Sequence, residues 1–266
     1  MLRLLSAALL LVLAAAHARA APCEREDFET RVTGDEHCTV MRRYGDTATP
    51  RTLIVWLHGD VSTGGPANYH FPLAERTAEL LAADRVLAVA LVRPGYPDGS
   101  GASSGVSFAH GGRSDHYTLP NLAEVAGAVA RLRAHYKVER VILVGHSGGA
   151  ASSAVILGWK PGLVDGAVLI ACPCEKEAWR ARRNGAWPRS ENPLLWADRV
   201  AAGARVRALT GTQDDNTFPI LAQQYVDALK TRGLDAAFIP VAGAGHNSVT
   251  RAPEVAAAIA ELVRSR

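Results

Sequence analysis

Gly145-His146-Ser147-Gly148-Gly149 places a serine with a glycine two residues away on either side. The apolar run Val141 to Val144 leads straight into it, and a stretch with helical spacing follows from Gly148. Strand, then G-x-S-x-G, then helix is a nucleophile elbow. It is a sharp, strained turn that lifts the serine oxygen above a sheet, with small residues where the strand and helix backbones nearly touch. A hydroxyl presented in this way attacks a carbonyl carbon if a base takes its proton and a carboxylate orients the base. The pattern occurs a second time, in Gly101-Ala102-Ser103-Ser104-Gly105. There Pro97-Asp98-Gly99-Ser100 stands in place of an apolar strand and no helix follows, so this second occurrence reads as a chance match in a loop.

With these residues the sequence resembles the alpha/beta-hydrolase family, and the resemblance covers essentially the whole chain after residue 20. It implies the chain order serine, acid, histidine. His246, in Ala242-Gly-Ala-Gly-His246-Asn247, is the one histidine after Ser147, and it lies between the last strand candidate and the last helix, where the family keeps its base. The acid belongs to Gly211-Thr212-Gln213-Asp214-Asp215-Asn216-Thr217, which is similar to the family's G-x-x-D-x-x-[VT] and points to Asp214. Asp215 is the alternative, because a slip of one residue in the turn would exchange their directions. The acid left over is expected to cap the following helix or brace the turn. Asp165 precedes its strand and Asp198 falls in an insertion, so both suit the role less.

The family also needs amide donors for an oxyanion. The resemblance gives these as the backbone N–H of Gly148 and one from His58-Gly59-Asp60-Val61, which looks like the family's H-G loop. That second donor is Asp60, or Val61 if the turn is longer. His58 is expected to be a hydrogen-bonder beneath that loop, and His146 to pack under the elbow. No metal and no cofactor is implied. His110, Asp115 and His116 share a long loop and could be imagined around a metal, but they read as solvated polar residues.

Elements must bring these residues together from positions far apart in the chain. From residue 52 onward, runs rich in Val, Ile and Leu alternate with amphipathic stretches, the mark of a mostly parallel α/β sheet with helices on both faces. Strands are expected at Thr52–Leu57, Arg85–Val92, Arg140–Val144, Gly166–Ala171, Arg205–Thr210 and Ala236–Val241, with Thr39–Tyr44 as an antiparallel edge strand. Helices are expected at Leu73–Ala83, Leu119–Tyr136, Gly148–Trp159, Ile220–Arg232 and Pro253–Arg264. Pro219 and Pro253 stand at helix starts, where a missing N–H costs nothing. Two stretches break the rhythm. One is the Gly/Ser-rich loop Gly95–His116. The other is the insertion 172–203, which holds Trp179, Trp187 and Trp196 and reads either as a small flap over the strand ends or as a segment that its tryptophans pack onto the body.

Residues 1–20 stand apart from this pattern. Arg3, the apolar run Leu4 to Ala16 and Ala18-Arg19-Ala20 together describe a secretory signal peptide, leaving 21–266 as a single domain. The run is short for a membrane span, and Pro22 before Cys23 does not make a lipid-anchor box, so an exported periplasmic or secreted product without a membrane anchor is expected. Without Arg3 and Arg19 the chain carries 27 basic and 26 acidic side chains. They form no Lys/Arg block, which argues against a nucleic-acid partner. Four cysteines, Cys23, Cys38, Cys172 and Cys174, read as disulfides after an export signal, with Cys23–Cys38 the preferred pair and Cys172–Cys174 awkwardly tight.

The activity expected from all this is that of a serine hydrolase acting on a small-molecule acyl substrate, most simply a carboxylic ester. A prolyl-oligopeptidase-like peptidase would use the same residues, but such enzymes usually carry a large N-terminal propeller, and here about thirty residues separate the leader from the first core strand. A binding module on the same fold would lack a member of the triad. The insertion is short for a lipase-style lid. Serine rather than aspartate at position 147 excludes epoxide and haloalkane hydrolysis within the family.

Overall fold

A computed structural model describes residues 22–62, 64–105, 117–183 and 185–265. The expected leader lies outside the described residues, as do His110, Asp115 and His116. Eight strands form one sheet: β1 (Arg31–Thr33), β2 (Cys38–Gly45), β3 (Thr52–Leu57), β4 (Val86–Leu91), β5 (Arg140–His146), β6 (Gly166–Ile170), β7 (Arg205–Gly211) and β8 (Ala236–Val241), in the order β1-β2-β4-β3-β5-β6-β7-β8. From β4 through β8 all neighbours are parallel, whereas β1 pairs with β2, and β2 with β4, in antiparallel fashion. Every residue of β3 and β4 is buried, as continuous apolar runs covered on both faces require. β8 is only partly buried and accommodates Pro240, which an edge position permits.

The alternation along β3 divides the core in two. Leu53, Val55 and Leu57 face α2 (Leu119–Tyr136), α3 (Gly148–Trp159) and α5 (Pro219–Thr231). Ile54 and Trp56 face α1 (Phe71–Leu80) and α6 (Pro253–Arg264). Pro219 and Pro253 open their helices as expected. The expected helix Leu73–Ala83 instead begins at Phe71 and ends at Leu80. A separate turn, Ala82–Asp84, carries the chain to Arg85, whose left-handed φ of 54° keeps it out of β4. Among the described residues no helix is long and apolar enough to cross a membrane.

The strand expected at the sheet's antiparallel edge is one position further in. Three residues, Arg31–Thr33, form β1 outside it, too short a run to leave a periodic signal. Tertiary contacts hold this hairpin. Cys23 is bonded to Cys38. Glu124 of α2 accepts from the amides of Asp35 (2.8 Å), Glu36 (3.1 Å) and His37 (2.9 Å), and from the His37 ring (2.6 Å). Cys172 and Cys174 are bonded as well, fully buried where the chain leaves β6. In the insertion, α4 (Lys176–Ala181) buries Trp179 beside Tyr117, Ala151 and Leu221, and Trp196 lies against Gly158 of α3. The tryptophans therefore pack the insertion onto the body, Trp179 near the start of α3, next to Ser147, and Trp196 near its far end. Arg180, Arg182 and Arg183 stack on Trp179, Trp187 and Phe218 around it, a local cluster of arginines not apparent from the overall charge balance.

Replacing Glu124 with alanine leaves three amides of the hairpin turn without their acceptor. Glu124→Ala is expected to lower the unfolding free energy by about 2–4 kcal/mol in a denaturant titration. A change below about 0.5 kcal/mol would show that the turn does not depend on this carboxylate.

Candidate active site

β5 delivers Ser147 at φ 52°, ψ −116°, a left-handed conformation that a residue with a Cβ holds at a cost on the order of 1–3 kcal/mol. The surroundings leave no other path. A Cβ on Gly145 would collide with the backbone of Gly149, and one on Gly149 with the carbonyl oxygen of Leu57. The Ser147 amide donates to the Ile170 carbonyl on β6 (2.8 Å), and α3 begins immediately after. Ser103, from the second G-x-S-x-G, is different in every respect. Its buried hydroxyl donates to the Val92 carbonyl (2.7 Å) and accepts from the Val40 amide (2.8 Å), closing the β2–β4 corner.

The turns after β7 and β8 bring Asp214 and His246 to Ser147. His246 Nε2 lies 3.1 Å from Ser147 Oγ, and His246 Nδ1 lies 2.9 Å from Asp214 Oδ2. Because a carboxylate only accepts, Nδ1 carries the proton and Nε2 is left to accept from the serine. Asp214 is 3% exposed and also accepts from the amides of Asn216 (2.9 Å) and Thr217 (2.8 Å) and from the Thr217 hydroxyl (2.8 Å). Burial pushes its carboxyl up, but the bond from His246 and those of Thr217 outweigh this and hold it below the usual carboxylate value. Asp215 points into solvent, and the helix that follows has no side-chain N-cap. The bracing expected of the spare acid is thus performed by Asp214 itself, because its second oxygen faces the amides of its own turn.

Asp60 and Gly148, the two residues expected to supply oxyanion donors, lie next to each other, and the contact involves the Asp60 carboxylate. A Cβ on Gly148 would strike Asp60 Oδ1, and one on Gly59 would lie 3.0 Å from the Ser147 Cβ, so the turn of residues 58–60 rests directly on the elbow. Arg93, 3% exposed, donates from Nη1 to the His58 carbonyl (3.0 Å) and to Asp60 Oδ1 (2.9 Å), and Tyr117 donates to Asp60 Oδ2 (2.7 Å). His58 lies beneath this loop. Its Nδ1–H donates to the Gly59 carbonyl (2.7 Å), and its Nε2 accepts from the Arg93 amide (2.9 Å).

A further chain joins the two sides of the site. The Gly59 amide donates to Tyr69 Oη (2.5 Å), Tyr69 donates to His146 Nδ1 (2.7 Å), and His146 Nε2–H donates to the His246 carbonyl (2.9 Å). Arg93, Tyr117 and Tyr69 belong to no motif of the sequence. Arg93 carries a signal of sorts, a lone cation at the end of the apolar run Val86 to Val92, whereas the tyrosines carry none. Among the described residues no group of three or more His, Cys, Asp or Glu could hold a metal ion.

The sequence profile of the alpha/beta hydrolase family matches residues 54–208, from within β3 to within β7, a span that holds the 58–60 turn and the elbow. The chain belongs to the alpha/beta hydrolase family. Among curated proteins, none matches it in sequence. Among solved structures, an esterase from Pyrococcus furiosus superposes with a TM-score of 0.65 at 16% identity over 88% of this chain and 90% of its own. Est1E from Butyrivibrio proteoclasticus, with ferulic acid bound, gives 0.62 at 16% over 85% and 97%. An acylaminoacyl peptidase in complex with a chloromethyl ketone gives 0.66 at 13%, and there the chain spans only 41% of the peptidase's length. At such identities these structures share the fold.

Two buried histidines in this hydrolase fold give it an acid-sensitive element. Burial is the largest cause depressing both, His146 to about 4, with His246 nearby adding to the effect, and His70 to about 3. Both values lie below that of a free imidazole. Between pH 6.5 and 4 the unfolded chain therefore binds more protons than the folded one, and stability falls as pH falls through that window. The melting temperature is expected to drop steeply from pH 6.5 to 4, and His70→Gln to flatten the curve. An equally steep curve in the variant would show that His70 is not part of the acid-sensitive element.

Proposed function

We propose that this protein is an exported serine hydrolase that cleaves a carboxylic ester through an acyl-enzyme. The observation that carries the reading is the line Ser147 Oγ, His246, Asp214, with contacts of 3.1 and 2.9 Å, beginning at a serine held in a left-handed turn. Ser147 Oγ attacks the acyl carbon as its proton passes to His246 Nε2. Asp214 stabilises the resulting imidazolium at Nδ1, and the amides of Gly148 and Asp60 receive the oxyanion. His246 returns the proton to the leaving oxygen, breaking the ester bond. A water molecule, deprotonated by the same imidazole, then attacks the acyl carbon, and as the acyl–Oγ bond breaks His246 returns that proton to Ser147 Oγ, releasing the acid.

Ester is favoured over peptide because the esterase from Pyrococcus furiosus matches this chain along nearly its whole length, whereas the peptidase matches over less than half of its own. Hydrolysis of a small peptide by the same residues is the second reading, supported by that peptidase's fold. Export is supported by the leader-like residues 1–20 and by two disulfides, which persist in oxidising compartments.

Turnover of 4-nitrophenyl esters by single variants tests the assignment. Ser147→Ala and His246→Ala are each expected to lower kcat by about 10⁴-fold or more, and Asp214→Asn by a comparable factor, as in other triads. Asp215→Asn should stay within about twofold. A near-normal rate in His246→Ala, or loss confined to Asp215→Asn, would contradict these roles.

A further inference from the structure

Asp60 poses an electrostatic problem. Its carboxylate lies against Gly148, whose amide is one of the two donors assigned to the oxyanion, so a fixed negative charge stands beside the place where negative charge is to develop. Like charges close together with little water between them repel strongly. The carboxylate also has a use, because it fixes the turn that carries the second donor by accepting from Tyr117 Oη and Arg93 Nη1.

We propose that Arg93 sets the charge of the oxyanion site, neutralising Asp60 so that the developing oxyanion meets donors and not a like charge. The inference rests on the reading of Ser147 as the nucleophile. The geometry of the guanidinium carries it. A Cβ on Gly148 would lie 2.8 Å from Arg93 Nη1, so the cation, like the carboxylate, reaches the oxyanion donor residue. The same nitrogen ties together the His58 carbonyl and Asp60 Oδ1, the two ends of the 58–60 turn. The Arg93 Cζ lies 5.4 Å from the Tyr96 ring centre and 5.8 Å from that of Tyr117, contacts that favour a buried cation there. Arg93 touches neither nucleophile nor base and is a positioning residue, acting through Asp60 and the loop. Its two functions, fastening the loop and cancelling the charge, are separable, because deleting the carboxylate relieves only the second.

The experiment compares kcat and KM for a 4-nitrophenyl ester, and the rate of phosphonylation by a fluorophosphonate, among wild type, Arg93→Met, Arg93→Lys and the double variant Asp60→Asn/Arg93→Met, each checked for a cooperative melt. Arg93→Met leaves the carboxylate beside Gly148 without this cation, and is expected to lose about 100-fold in kcat with KM within about threefold. Arg93→Lys keeps the charge without the fork and should lose no more than about tenfold. The double variant should be at least about tenfold faster than Arg93→Met, although it has lost more hydrogen bonds. A double variant no faster than Arg93→Met, or a folded Arg93→Lys as slow as Arg93→Met, would overturn the proposal and leave the guanidinium as a loop fastener. If Arg93→Met does not fold, Arg93→Lys decides alone, with a loss beyond about tenfold counting against the charge. A wild type inert to both probes would contradict the serine-hydrolase reading itself, whereas a reactive wild type without rescue contradicts only the role of Arg93.

Discussion

The left-handed backbone at Ser147 is the constraint on which the site depends. That conformation is unfavourable for a residue with a Cβ and persists only because its neighbours over-determine it. Gly145 and Gly149 allow strand and helix to meet at van der Waals distance, the Leu57 carbonyl closes the space from β3, and β6 holds the Ser147 amide. The hydroxyl is thereby fixed at the end of β5, in the middle of the sheet order, so loops from strands on both sides can reach it. β3 contributes the 58–60 turn, β7 the Asp214 turn and β8 the His246 loop. Each is short enough for its strand to aim it, and the register of the central strands sets the spacing between them.

Around this point the buried polar groups are satisfied in sequence rather than singly. The Gly59 amide, Tyr69, His146 and the His246 carbonyl form a chain with one proton direction, because an amide can only donate and a carbonyl only accept. That direction fixes the tautomer of His146 and requires it to be neutral, in accord with its depressed titration. The chain also ties the loop beneath the expected oxyanion donor to the loop of the expected base, so the two cannot shift independently. Buried networks of this kind are costly when half-satisfied, and the site accordingly depends on residues that touch neither Ser147 nor a substrate.

How much of this is legible in the sequence follows the range of the interactions involved. β3, β8, α2, α3 and α6 are legible to the residue, because unbroken apolar runs and helical spacing, bounded by Gly, Pro or charged residues, are local signals. So is the elbow, whose glycines, strand and helix are contiguous. Asp214 is legible against Asp215 through the spacing from Gly211 to Thr217, and the structure shows the reason: Thr217 bonds both the carboxylate and the imidazole. β1 is not legible, since three residues carry no periodicity and the strand is held by Glu124, nearly ninety positions away. Tyr69, Arg93 and Tyr117 come from separate loops and meet only in the folded chain. No pattern in the sequence distinguishes Tyr117 from an ordinary core tyrosine, or His146 from a residue that merely fills space.

The central claim is that Ser147, and not the equally patterned Ser103, is an activated nucleophile. Labelling the folded protein with a fluorophosphonate and mapping the modified peptide by mass spectrometry tests it most directly. One label per chain is expected, on Ser147, abolished by Ser147→Ala and unaffected by Ser103→Ala in any variant that still folds. A folded protein that takes no label, or takes it at Ser103 or elsewhere, would contradict the claim.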